Sequence, residues 1–234
     1  MSRTGAQHRG HAGVTILEVM VATAILAMIG TMIYAAFDHT SRLRTRLSAR
    51  QERDHVARVA LNKIAADLRM AFLSAHIHPT PQYVTQITQF VGRDQNPGDR
   101  VDFCAFAHRR LQRNVHEGDA SEIGYRMEER RGGGYDLLRR ESPRIDLEPL
   151  RGGTLDVLVN DVLNFQLKYY DPTTDTWLDA WDSTQATGQT NRLPSRVRIT
   201  LGLRDSDGRE RRYMTETQLM ITETLRFGLP IDYH

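Results

Sequence analysis

The sequence predicts an α+β fold in which one long N-terminal helix lies on antiparallel sheet. Three observations carry this. An apolar run from Val14 to Phe37 passes into helical spacing of apolar residues as far as Phe72, with no proline between Val14 and Ile77. After Pro79 the period changes to two, in short segments separated by Gly-, Pro- and Asp-rich turns. The segments come as hairpins and not as strand–helix–strand units, which excludes a parallel α/β sheet.

The first 13 residues carry Arg3 and Arg9, no acid, and end in Gly13. From Val14 to Phe37 the chain is long enough, at about 1.5 Å per helical residue, to cross a ~30 Å hydrocarbon layer. Glu18 is the single charge in this run, and its cost of about 2.5 to 3.5 kcal/mol is less than the aliphatic residues return. The order is wrong for a secretory signal peptide, where the apolar region precedes the small-residue cleavage site. Cleavage after Gly13 leaves the apolar segment on the mature chain with a positive α-amine at Val14. That amine is the natural counter-charge for Glu18 of a neighbouring copy or homologue. The plainer alternative, an interfacial Glu18 in water, needs no partner. Arg3 and Arg9 place the leader in the cytoplasm and the rest outside. Arg42, Arg44, Arg46 and Arg50 oppose this orientation, and the processing signal decides for the leader.

Residues 38–75 continue the helix. Leu43, Leu47, Val56, Ala60, Ile64, Leu68 and Phe72 mostly recur four apart, and Asp54 with Arg58 forms an i,i+4 pair. Together with the span this predicts one rod of about 60 residues, roughly 90 Å long. From Val56 on, the stripe reads as a helix lying on its own head. Asp38 to Arg53 is polar nearly all round, which marks a neck or a contact between subunits. Leu43, Leu47, Arg50 and Asp54 are the candidate partner-interface residues.

Residues 76–234 form the head, one domain's worth of chain. Val101, Phe103 and Ala105 alternate with Asp102 and Cys104. Ile123, Tyr125 and Met127 lead through Gly132-Gly133-Gly134 to a return strand at Tyr135–Arg139. Phe165, Leu167 and Tyr169 alternate with Gln166, Lys168 and Tyr170, giving a strand with one wet face. Val197, Ile199, Leu201 and Leu203 alternate with Arg196, Arg198 and Thr200, and an Asp207-Gly208 turn returns the chain through Tyr213 to Ile221. Residues 80–100, 140–153 and 171–194 read as connections.

Composition excludes several functions. The net charge of +2 equals the two Arg of the leader, so the mature chain is neutral and has no nucleic-acid footprint. His76 and His78 lack a third metal ligand nearby. Asp171, Asp175, Asp179 and Asp182 are dense enough for calcium but lack the order of an EF-hand, so a solvated loop is the better reading. Cys104 with His108 has no orienting third group, and Cys104 reads as a small buried hydrophobe. Gly132 to Gly134 lacks the lysine and helix of a phosphate loop. No cofactor, metal or catalytic set is expected.

Gly13-Val14-Thr15-Ile16-Leu17-Glu18-Val19 resembles the class III signal of type IV pilins and type II secretion pseudopilins, with Val14 where these usually have Phe. The resemblance implies cleavage between Gly13 and Val14 by a prepilin peptidase, N-methylation of Val14, and a role for Glu18 in assembly. The run Val162 to Asp171, then Trp177 and Trp181, then Leu193-Pro194-Ser195 into Arg196 to Leu201, resembles the J-type minor pseudopilins of type II secretion, the GspJ family. Glu18 argues against the K-type subunit, which usually lacks that carboxylate. The resemblance implies a pilin-like fold, a single inner-membrane span with a periplasmic head, and a non-enzymatic subunit at the pseudopilus tip. Its partners would be the I-type and K-type minor pseudopilins, with the H-type and major pseudopilins as further neighbours. There it would help to start assembly and to export folded proteins. A minor pilin of a type IV pilus, or a membrane-tethered periplasmic enzyme or binding domain, are the competing readings.

Overall fold

The structure is a computed structural model that describes residues 15–76, 88–107, 119–143, 145, 152–205 and 208–227. The chain divides into two compact units, Met1–Ala49 and Arg50–His234. Helix α1 runs from Ile16 to Arg69. Thr15 caps it: its hydroxyl oxygen accepts the Glu18 backbone N–H at 3.3 Å, satisfying one of the donors that a helix start leaves open.

In the first unit, Ile16–Asp38 is apolar enough to cross a membrane, with a mean hydropathy of 2.2 and no part buried. Its two threonine hydroxyls do not oppose this. Thr23 donates to the carbonyls of Val19 and Met20, and Thr31 to that of Met28, so both are satisfied inside the helix.

In the second unit, α1 ends at Arg69 rather than at residue 75. Met70 and Ala71 donate back to Asp67 and Leu68, tightening the last turn, after which Ala71 bridges Ala105 and the Phe72 N–H donates to the Cys104 carbonyl. Phe72, which extends the helical stripe in sequence, is therefore in extended chain, stacked on Phe106 with centroids 4.2 Å apart. Backbone pairing with a neighbouring strand overrides the helical period here.

The strands are β1 (Ser74–His76), β2 (Phe90–Arg93), β3 (Arg100–Ala105), β4 (Ser121–Glu129), β5 (Tyr135–Ser142), β6 (Thr154–Asp171), β7 (Thr176–Leu178), β8 (Trp181–Asp182), β9 (Arg196–Arg204), β10 (Glu210–Gln218) and β11 (Leu225–Phe227). Nine form one sheet in the order β10-β9-β6-β5-β4-β3-β2-β8, with β7 beside β6, and β1 pairs with β11 in parallel. Every pair in the large sheet is antiparallel, so the α+β expectation holds. Strands β2, β7 and β8 lie in segments that read as connections. Each has four residues or fewer, too short to display a period.

The core lies between one face of the sheet and one side of α1. Ala57, Ala60, Leu61, Ile64, Ala65 and Leu68 meet Tyr125, Leu137, Phe165, Leu167, Val197, Ile199 and Leu201 in a single buried cluster. The alanines let the helix approach closely enough for the Thr217 hydroxyl on β10 to donate to the Ala65 carbonyl. β6 and β9 alternate as expected, whereas β3 is buried on both faces. Its Asp102 is held by Arg100 at 2.6 Å and Arg140 at 3.5 Å, and Gly124 beside it leaves no room for a Cβ.

β6 organises the sheet by changing partners. Thr154 to Val162 pairs with β5, and Val162 to Tyr170 pairs with β9. Asp161 at the change adopts φ 58°, and the register shifts between Val162 and Asn164. Where β5 has left, Asp99 takes its place: its N–H donates to the Phe165 carbonyl at 2.9 Å, and its carboxyl accepts the Leu167 N–H at 2.6 Å. Burial, then the nearby charge of Asp94, raises the Asp99 carboxyl from 3.8 to about 6 despite that hydrogen bond.

The folded state thus holds the Asp99 proton to a higher pH than the unfolded chain does. Its stabilising contribution is complete below about pH 4 and is lost as the pH rises to about 6. Asp99→Asn keeps an acceptor for Leu167 and should abolish this slope. The variant should be the more stable at pH 7.5, by at most about 3 kcal/mol, and should lose its advantage at pH 4. Thermal unfolding of both proteins across this range measures the difference.

Candidate assembly surfaces

Glu18 lies in the first turn of α1, where a carboxylate meets the positive end of the helix dipole. Its side chain is exposed and has no partner among the described residues. Within hydrocarbon such a carboxylate calls for a positive group from elsewhere. Gly13 and Val14 lie outside the described residues, as do the side chains of Leu43 and Leu47.

The other two candidate interface residues turn towards the head's own sheet. Arg50 approaches Asp205 at 3.8 Å. Asp54 accepts the Tyr213 hydroxyl at 2.6 Å and pairs with Arg211 at 3.1 Å, fastening α1 to β10. Burial, then the bond to Asp54, pushes the Tyr213 phenol up to about 12. The expected carboxylate pair of Asp54 with Arg58 is replaced by a bond from the Arg58 guanidinium to the Asp54 backbone carbonyl at 3.2 Å. The surface that α1 leaves open in the head is instead Glu52, His55, Val59, Asn62 and Ala66, at helical spacing, with Val59 51% exposed at its centre.

Sequence reasoning missed the tie that seats the helix. Asp67, 2% exposed, receives Lys63 at 2.9 Å, the Tyr125 hydroxyl of β4 at 2.7 Å and the Arg139 guanidinium of β5 at 2.8 Å. Arg139 also bonds Glu141. Burial, then the Asp67 charge, holds the Tyr125 phenol well above its ordinary range. The available signal was the Arg139-Arg140 pair in an apolar strand, with an acid between Ile64 and Leu68 on the buried side of the helix.

The acidic loop is dispersed into separate contacts. Asp171 pairs with Arg192 at 3.1 Å, Asp175 with the Tyr170 hydroxyl, and Asp179 with Lys168 at 2.6 Å. Asp182 accepts the backbone and hydroxyl of Thr184. Burial alone would raise the Asp171 carboxyl, but the bonds from Arg192 and the Thr173 backbone outweigh it and hold the group below its usual range. No group of three potential metal ligands occurs among the described residues. His76 lies in β1, while His78 and His108 fall outside the described residues. Cys104 is buried, and burial, reinforced by Glu122, pushes its thiol up to about 12, which suppresses the nucleophilic form. Trp181 is fully buried, whereas Trp177 stays half-buried under Arg198 at 4.2 Å, beside Tyr170 with Arg196 above it at 4.1 Å.

Comparison with known proteins gives two family matches. Residues 35–215 match the family described as type II secretion system, protein J, and residues 8–34 match the prokaryotic N-terminal methylation motif. A curated relative is the type II secretion system protein J of Vibrio cholerae serotype O1, 26% identical over 209 residues that cover 87% of each chain. Among solved structures, a chain of the GspK-GspI-GspJ complex of enterotoxigenic Escherichia coli is similar with TM-score 0.46 and 17% identity, covering 70% of this chain and 96% of that one. A type IV-like pilin from Thermus thermophilus is similar with TM-score 0.49 and 12% identity, covering 71% and 95%.

Asp67 gives a test of how the head holds its helix. Asp67→Leu leaves the buried Arg139 with Glu141 alone and should cost about 3 to 5 kcal/mol. Tyr125→Phe removes one hydrogen bond and should cost about 1 kcal/mol. Chemical denaturation followed by tryptophan fluorescence, with Trp181 as the buried reporter, separates the two.

Proposed function

The chain belongs to the type II secretion system protein J family and is a minor pseudopilin of that system; from this premise we propose how its residues serve assembly. The reading rests on one observation above all: the protein J match begins where the methylation motif ends, so one chain carries both the processing signal and the head. The match selects secretion over the type IV pilus, and the family is one of structural pseudopilins.

In this reading a prepilin peptidase removes residues 1–13 by cutting between Gly13 and Val14, and Val14 is then N-methylated. The apolar helix crosses the inner membrane once and the head lies in the periplasm, an orientation supported by Arg3 and Arg9 in the leader. Glu18 pairs with the α-amine of a neighbouring subunit. Two features support this: the carboxylate sits in the first helical turn without an intrachain partner among the described residues, and the run around it is otherwise apolar. The solved complex from the Escherichia coli type 2 secretion system holds GspK, GspI and GspJ together. This chain takes the corresponding place at the pseudopilus tip with I-type and K-type subunits, and meets the H-type and major pseudopilins below. Leu43 and Leu47, in the segment before the head's first residue, remain the proposed contacts of the neck.

Gly13→Val should leave a full-length precursor, because a side chain there obstructs the peptidase at the scissile bond. N-terminal sequencing of the wild-type mature protein should read from Val14, and a start beyond the apolar run would exclude this processing. Glu18→Leu should insert at least as well as the wild type, since the carboxylate only opposes insertion. It should nevertheless assemble poorly, because a neighbour's amine loses its partner in a low-dielectric bundle. Membrane fractionation and a secretion assay on the same cells distinguish the two effects, and normal secretion by the variant would remove Glu18 from the mechanism.

A further inference from the structure

The open edges of the nine-stranded sheet are unequally protected. β10 carries Glu210, Arg211, Arg212 and Glu216 along its length, charges that discourage a further strand, and β8 has only two residues. The first half of β6 has neither defence. β5 covers one side of Thr154 to Val162, but on the other side β9 reaches only as far as Val162. Beyond it, no backbone group from Thr154 to Asn160 is bonded on that side among the described residues.

The side chains along this edge are those of a strand awaiting a neighbour. Leu155 is 47% exposed and Val157 53%, and both stand on the same face, opposite Arg140 and Leu138 of β5. Asp156 is the only charge between Thr154 and Asn160. A row of free amides and carbonyls with apolar residues at every second position is the recognition surface of strand addition. We infer that the β6 edge from Thr154 to Asn160 receives an extended strand from the head of a neighbouring pseudopilin subunit, one with apolar residues at alternate positions over Leu155 and Val157 and no acid opposite Asp156.

A neighbouring subunit is the occupant because of where the edge lies. It opens beside the Arg204–Asp161 pair, at the end of β9 that also meets Arg50 through Asp205. Arg50 is the first residue of the head unit, and the chain before it leads back to the apolar segment. The edge thus adjoins the point where the chain enters the head, the point at which a subunit of the same tethered design enters its own. The inference therefore rests on the proposed assembly role.

The test uses the full-length chain in detergent, mixed with full-length I-type and K-type subunits of the same secretion system. Amide hydrogen exchange should slow at least tenfold at alternate residues between Leu155 and Asn160 when the complex forms. Joint Leu155→Lys and Val157→Lys substitution should weaken association at least tenfold, while Met214→Lys, 67% exposed on β10, should leave it unchanged. Unchanged tryptophan fluorescence confirms that the variants are folded. A complex in which residues 154–160 exchange as in the free chain overturns the inference and leaves the assembly role standing. Slowing in the chain alone at high concentration also overturns it, by assigning the edge to a second copy. Failure to associate at all overturns both.

Discussion

The bond set of Asp67 fixes where the helix lies on the sheet. Apolar contacts from Ala57 to Leu68 hold α1 down, but they are non-directional and would tolerate a slide along the strands. A carboxylate that receives Tyr125 from β4 and Arg139 from β5 does not. Moving it strands a guanidinium in the core, and an uncompensated buried charge costs more than a well-packed hydrophobic substitute would. The pair contributes specificity of placement more than net stability. Asp54 on Tyr213 and Ala65 on Thr217 then fall into line with β10.

The parts of the fold that were legible in the sequence are those governed by one local period. The apolar helix, the β4–β5 hairpin and the alternation of β6 and β9 could all be read because each depends on burial of one face. The errors occurred where a long-range partner decides. Phe72 fits the helical stripe but is claimed by Cys104, and Asp102 alternates correctly yet is buried by arginines from its own strand and from β5. Asp54 has an ideal i,i+4 neighbour in Arg58, but Tyr213 and Arg211 offer a less hydrated site and win its carboxylate. Nothing in the spacing of residues announces partners so distant in sequence.

The same distinction applies to the surfaces. Glu18 stands out in sequence because a charge in an apolar run is anomalous. The open edge of β6 does not, because Leu155, Val157 and Val159 look like any buried strand until the extent of β9 is known. Whether an apolar residue belongs to a core or to an interface is decided by the reach of its neighbours. Here β9 stops at Arg204, short of the first half of β6.

The tie between α1 and β10 bears on how the protein is made. Tyr213 is 159 residues from Asp54, and Thr217 is 152 residues from Ala65. A chain delivered from its N-terminus presents the helix first, and the strand that clasps it arrives 152 to 159 residues later. Until then β6 lacks β9 and the apolar side of α1 has no complete cover. Closing contacts of such separation is slow, and the waiting intermediate exposes both a helix face and strand edges. The clasp on the helix therefore cannot close before β10 has been delivered, and until then the uncovered side of α1 and the unpaired strands are the surfaces most open to wrong contacts.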